Sequence, residues 1–204
     1  MSTIEQRTSS RGGPTWEIAT LFPNQGSWAV SDYLALNTNR LVEFADGQLE
    51  VLPMPTEDHQ LIVAFLYEML TRFVSPQRLG TALFAPLRVQ LREGKFREPD
   101  IVFMLTEHND RRGRKFWRGA DLVMEVVSED DPERDLVEKR EEYAQAGICE
   151  YWIVDPRSRT VTVLALDASA GTYRRADQYA AGTTAESVLL KGFGVDVDEI
   201  FSRE

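Results

Sequence analysis

Apolar residues along the chain recur with two different periods, and the switches between them mark out the elements. Leu61, Ile62, Phe65, Leu66, Met69, Leu70 and Phe73 recur three and four apart, which places them on one face of a helix. Thr56 ahead of the run can cap it, Glu57 and Asp58 suit its first turn, and Ser75-Pro76 predicts its end. A shorter helix is expected within residues 27–36, capped near Ser31. A third opens at Asp131-Pro132, runs through Leu136, Lys139, Arg140, Tyr143 and Ala144, and stops at Gly147. Between these lie strand patterns. Residues 41–44 and 48–52 flank Asp46-Gly47, the chemistry of a tight hairpin turn. Residues 81–91 and 97–105 read as two strands joined at Glu93-Gly94, and 120–127, 150–156, 160–166, 173–175 and 187–190 as further strands. A last turn is expected over 198–201. This order predicts an α+β (α/β-like) domain, a mixed β-sheet core flanked by helices, over residues 26–204. The Ser/Thr/Gly/Arg-rich residues 1–25 read as a flexible arm.

Two of the strand patterns carry a carboxylate that apolar neighbours would not tolerate. Asp100 stands where Ile101-Val102-Phe103 begins, and Glu125 sits inside Leu122-Val123-Met124-Glu125-Val126-Val127. A buried carboxylate costs several kcal/mol unless a cation or proton offsets it. Two such acids on adjacent strands would make a pocket for a hard divalent cation. The plainer alternatives are a turn cap at Asp100 and a solvated edge at Glu125, and apolar neighbours on both pleats argue against the second.

Lys139 shares the inner stripe of its helix with Leu136 and Tyr143. Its ammonium could point at the two acids, or pair with Asp135 four residues earlier, and spacing leaves both open. His59, at a helix start on the side of Ile62 and Leu66, could hydrogen-bond an active-site acid or a metal-bound water, or be structural. Glu43, ahead of the hairpin turn, could support the site or be solvated.

Charge narrows the functions. The chain has 23 Lys and Arg against 33 Asp and Glu, a net charge of −10, so bulk positive charge cannot coat it with nucleic acid. A local basic patch still can steer one. Arg111, Arg112, Arg114, Lys115 and Arg118 form such a patch, interleaved with Phe116 and Trp117 that could stack on an unpaired base or anchor the loop. Residues 129–142 hold eight acids against three bases, so nucleic acid should approach from the other side. One cysteine, Cys149, forbids an internal disulfide and fits a reducing cytoplasm, and nothing in the sequence predicts a membrane span.

The combination Glu43…Asp46-Gly47, His59-Gln60, Pro99-Asp100, Glu125-Val126-Val127-Ser128, Asp135…Lys139…Tyr143, Gly147 and Glu150-Tyr151-Trp152…Asp155-Pro156 resembles the Uma-type putative restriction endonucleases of the PD-(D/E)xK superfamily. The resemblance runs from about Tyr33 to Phe201. It implies a restriction-endonuclease-like core, a Mg²⁺ (or Mn²⁺) cofactor, hydrolysis of nucleic-acid phosphodiesters, DNA being the expected substrate, and a homodimer. It also implies metal ligation by Asp100, Glu125 and the Val126 carbonyl, and catalytic positions at His59 and Glu43. The superfamily's lysine position is occupied by Val127 here, and in the family the lysine moves to the next helix, which makes Lys139 its replacement. The sequence reads Gly119-Ala120-Asp121 where the family commonly has a proline before the aspartate. Two other functions remain open on the residues alone. One is a catalytically inactive binding or assembly module, which the acidic charge and Val127 favour. The other is a phosphatase or similar small-molecule hydrolase, which would leave the basic loop without a role.

Overall fold

The computed structural model describes residues 25–36, 38, 40–128 and 132–202; the expected arm over 1–25 lies outside them except for Gln25. Two sheets form the framework. The larger has six strands in the order β11 (Thr172–Tyr179), β10 (Thr160–Asp167), β9 (Glu150–Asp155), β8 (Leu122–Val126), β6 (Ile101–Leu105) and β3 (Gly80–Phe84). Only β8 and β9 run parallel within it, so the sheet is mixed, as expected. The smaller has five in the order β2 (Gln48–Val51), β1 (Val42–Ala45), β5 (Lys95–Arg97), β4 (Val89–Arg92) and β7 (Trp117–Arg118). A third pair, β12 (Thr184–Glu186) with β13 (Gly194–Asp196), and the helices α1 (Val30–Ala35), α2 (Glu57–Gln77), α3 (Lys139–Gln145) and α4 (Val197–Phe201) are the remaining strands and α-helices among the described residues. No helix among the described residues is long and apolar enough to cross a membrane.

The unbroken apolar run at β8 has a structural reason: every residue of it is buried, because both faces of the large sheet are covered. Ile62, Leu66 and Leu70 of α2 pack over Leu122, Met124 and Val126 on one face. Tyr143 and Ala144 of α3 pack over Val123, Val127 and Tyr151 on the other. Period-two alternation therefore puts Glu125 on the α3 face, beside Val123 and Val127.

Three expectations need correction. The strands expected over 81–91 and 97–105 are each interrupted at a proline, Pro86 and Pro99, which has no N–H for a ladder. The break sends β4 and β5 to the small sheet while β3 and β6 pair in the large one. Asp100 consequently stands where the two sheets diverge. The first helix is capped at Ala29 with no side-chain bond, Ser31 lying inside it, and its Tyr33 stacks on Phe44 of the small sheet at 5.1 Å between ring centroids. Helix α2 ends near Ser75-Pro76 as expected, at Gln77, with Arg78 in the left-handed conformation. Residues 187–190 form a turn instead of a strand, because the Glu150 carboxylate accepts the N–H groups of Val188 and Leu189 at 2.6 and 2.7 Å. The Asp46-Gly47 turn has the expected positive φ at both residues, 48° and 84°.

Candidate active site

Strand pairing brings the two suspect carboxylates together. Antiparallel β6 and β8 set Ile101 opposite Met124, so the residue before the one stands beside the residue after the other. Asp100 Oδ2 accepts the Val126 N–H at 2.8 Å, and the Asp100 N–H reaches Glu125 Oε2 at 3.3 Å. From the α3 face, Lys139 brings Nζ to 3.1 Å from Glu125 Oε1 and 2.8 Å from Asp135 Oδ1. Both geometries that the sequence left open are thus realised at once. One turn further on, the Tyr143 hydroxyl donates to Glu125 Oε1 at 2.5 Å. Asp135 lies in a π-helical turn, Arg134–Glu138, whose backbone is held by the Tyr151 hydroxyl donating to the Asp135 carbonyl at 2.9 Å. On the opposite side, Thr56 caps α2 by accepting the His59 N–H, and His59 Nε2 lies 3.2 Å from Asp100 Oδ2. His59, Asp100, Glu125, Asp135 and Lys139 border one cleft of about 530 Å³, and the Tyr143 hydroxyl lies behind it.

The electrostatics follow from burial. Glu125 is 2% exposed. Burial pushes its carboxyl well above the usual range; Lys139 pulls it down, and the charge of nearby Asp100 raises it again. Burial alone would lower the Lys139 ammonium, but Glu125, Asp135, Glu43 and Asp100 together hold it charged, above its ordinary value. His59 is raised: burial opposes its charge, and the bond and charge of Asp100 outweigh that. Among the described residues no group of three or more His, Cys, Asp or Glu side chains could enclose a metal. Two carboxylates with a neighbouring backbone carbonyl, completed by water, match the hard-oxygen requirement of Mg²⁺, which keeps several waters. The donor set therefore fits the expected cation at Asp100, Glu125 and Val126.

The other expected residues lie elsewhere. Glu43 is buried in an ion-pair network behind the cleft, bonded to Arg97 and Arg134 and accepting the Glu98 N–H at 3.0 Å. Despite its burial, Lys139, Arg97 and Arg134 hold its carboxyl down at about 2. None of the five loop cations borders the cleft. Arg112 lies over the Trp117 ring and donates to Thr81 at 2.7 Å, and Arg118 donates to the Asp110 carbonyl at 2.6 Å. Arg111 is 4.0 Å from Asp121, while Arg114 and Lys115 are exposed. Trp117 is buried and Phe116 packs edge-on against Phe96, so these aromatics anchor the loop. Asp135 and Tyr143 were not given site roles from the sequence, although both lie four residues from Lys139 on one stripe. Arg97 and Arg134 carried no such signal, since their partners, Glu43, Glu50, Glu138 and Glu142, lie 41 or more residues away along the chain.

The sequence matches the Uma2 family, described as putative restriction endonuclease, over residues 30–198. The chain belongs to this family. A solved structure titled as a putative nuclease belonging to DUF820 from Anabaena variabilis ATCC 29413 is similar in fold, with a TM-score of 0.71 at 19% identity, covering 86% of this chain and 98% of that one. A comparison with curated proteins finds no match. Membership of the Uma2 family supports a nuclease function in general, and the fold is the one shared with that neighbour.

Proposed function

We propose that the chain is a metal-dependent endonuclease that hydrolyses phosphodiester bonds of DNA. The observation that carries this reading is the meeting of Lys139, Glu125 and Asp100 in one cleft, with Nζ 3.1 Å from Glu125 and Asp100 tied to the Val126 N–H at 2.8 Å. Asp100, Glu125 and the Val126 carbonyl would hold Mg²⁺ or Mn²⁺. Such a cation supplies Lewis-acid stabilisation of phosphoryl oxygens and makes water a better nucleophile near neutral pH.

The chain's own residues do the rest. The Lys139 ammonium, fixed between Glu125 and Asp135, places a positive charge where negative charge grows on the phosphoryl oxygens during attack. Tyr143 fixes the Glu125 rotamer through its 2.5 Å bond. His59 orients Asp100 from the far side and can carry a proton there. Cleavage of a supercoiled plasmid tests the proposal: wild type should nick it with Mg²⁺ or Mn²⁺ and stop on chelation. The Asp100→Ala/Glu125→Ala double variant should be inert, and undiminished cleavage by the pure variant would overturn the assignment.

A further inference from the structure

The cleft has a wall that phosphodiester hydrolysis does not require. Phe84, the last residue of β3, is 50% exposed, and Met54, between β2 and α2, is 68% exposed. Both border the cleft that holds Asp100, Glu125 and Lys139. Leaving such side chains in water forgoes the burial that most large apolar groups in this fold achieve. Neither is loosely held. Tyr67 of α2 abuts the Phe84 ring edge-on at 4.8 Å between centroids, and prolines on both sides of Met54 restrict its backbone.

Charge points to the occupant. Three cationic side chains, Arg134, Lys139 and Arg157, border the cleft against five carboxylates. Each cation already has acids: Glu43 and Glu50 on Arg134, Glu125 and Asp135 on Lys139, and Asp155 on Arg157. With every lining carboxylate ionised and His59 neutral, a divalent cation would bring this lining to neutrality. Duplex DNA is bound chiefly through many phosphate neutralisations, and the cleft offers none to spare. Base stacking on an aromatic side chain needs no such surplus, and it tolerates any base because every base has a π-face. A base cannot reach a side chain in that way while it stays paired and stacked in a duplex.

We infer that Phe84 and Met54 form the surface on which an unpaired nucleobase stacks beside the hydrolytic site, so that the substrate is a single-stranded or locally unpaired nucleic acid. The inference rests on the nuclease reading for the identity of the polymer. Fluorescence anisotropy of the full chain tests it, with a fluorescein-labelled DNA strand, free or annealed to its complement, in Ca²⁺. The same two DNAs in Mg²⁺ give the cleavage readout. The free strand should bind at least tenfold tighter than the duplex. Phe84→Ala should weaken that binding about tenfold, Met54→Ser should weaken it less, and Phe84→Trp should keep it. Thermal unfolding checks that the variants fold, and Met54→Ser, in an exposed irregular segment, serves if Phe84→Ala does not.

Equal or tighter binding of the duplex would overturn the inference, as would free-strand binding unaltered in Phe84→Ala and Met54→Ser. If the duplex is cut and both variants cut it normally, the nuclease reading stands and the stacking surface falls. If neither DNA is cut but the free strand binds through Phe84, the stacking surface stands and the hydrolytic reading falls. A dimer that Phe84→Ala dissociates, with oligonucleotide binding unchanged, would assign the wall to a second copy of the chain and overturn the inference.

Discussion

Lys139 meets Glu125 at 3.1 Å although one opens a helix and the other lies inside a strand. Val127 explains the arrangement. It sits two residues beyond Glu125, just past the end of β8 on the same face, and is buried among apolar groups, so that strand provides no cation. The helix covering that face provides it. Because both groups are buried, their interaction should be strong and mutual. A double-mutant cycle with Lys139→Met and Glu125→Gln should give a coupling of about 1–3 kcal/mol in unfolding free energy. Lys139→Met alone should cost about 3–5 kcal/mol by leaving two buried acids without their cation. Additive effects of the two substitutions would separate the residues.

Tyr143 is expected to act only through Glu125. Tyr143→Phe removes the 2.5 Å bond and leaves the ring in place against Tyr151, at 5.1 Å between centroids. Its cost in stability should be about 1–3 kcal/mol, because a buried carboxylate oxygen loses a donor. Cleavage should slow through kcat with KM unchanged, since the hydroxyl does not face substrate. A change confined to KM in steady-state kinetics would contradict this.

Two buried glutamates, Glu43 behind the cleft and Glu98 in its lining, should give stability opposite dependences on pH. Glu43 is held at about 2, below its ordinary 4.5. Its contribution is present above pH 4.5 and is lost as pH falls toward 2, a change on the order of 3 kcal/mol. Glu98 is raised to about 7 by burial, against the pull of Arg88 and of the Val42 N–H that it accepts at 3.1 Å. Its contribution is present below pH 4.5 and is lost as pH rises to 7. Denaturant midpoints followed across pH should show a flattened acid limb in Glu43→Gln. In Glu98→Gln the loss between pH 4.5 and 7 should be flattened instead. Slopes that match wild type in both variants would rule this out.

Glu150 provides a contrast with the site carboxylates. Its oxygens accept from the Trp152 indole, the Ser187 hydroxyl and the amides of Val188 and Leu189, all at 2.6–2.7 Å. Every one of these donors belongs to the fold, so the acid is structural. Glu150→Ala should cost about 3 kcal/mol or more by orphaning several buried donors, and should shift the tryptophan fluorescence. Metal-dependent cleavage by the folded fraction should be unchanged, and loss of activity without loss of stability would count against the distinction.

The local part of this architecture was readable in the residues. Periodicity placed α2, and the Asp46-Gly47 pair placed a hairpin because its turn needs the positive φ those residue types readily adopt. The two acids stood out because burying a charge in an apolar run is costly wherever the strand goes. What could not be read was non-local. Pro86 and Pro99 interrupt strands, but nothing nearby says that the pieces join different sheets. Val188 and Leu189 look like strand residues, and only the distant Glu150 carboxylate makes them a turn. Glu43 carries no mark of the Arg97 and Arg134 that surround it. The exposure of Phe84 and Met54 beside the cleft was equally hidden, since exposure belongs to the folded surface and not to the residue type.

Isothermal titration of the chain with Mg²⁺ or Mn²⁺ tests the central claim, that Asp100 and Glu125 share one cation beside Lys139. The predicted result is binding of a single ion by wild type, abolished in Asp100→Asn and in Glu125→Gln but retained in Glu150→Gln. Absence of binding by wild type, or equal binding by all four proteins, would contradict it.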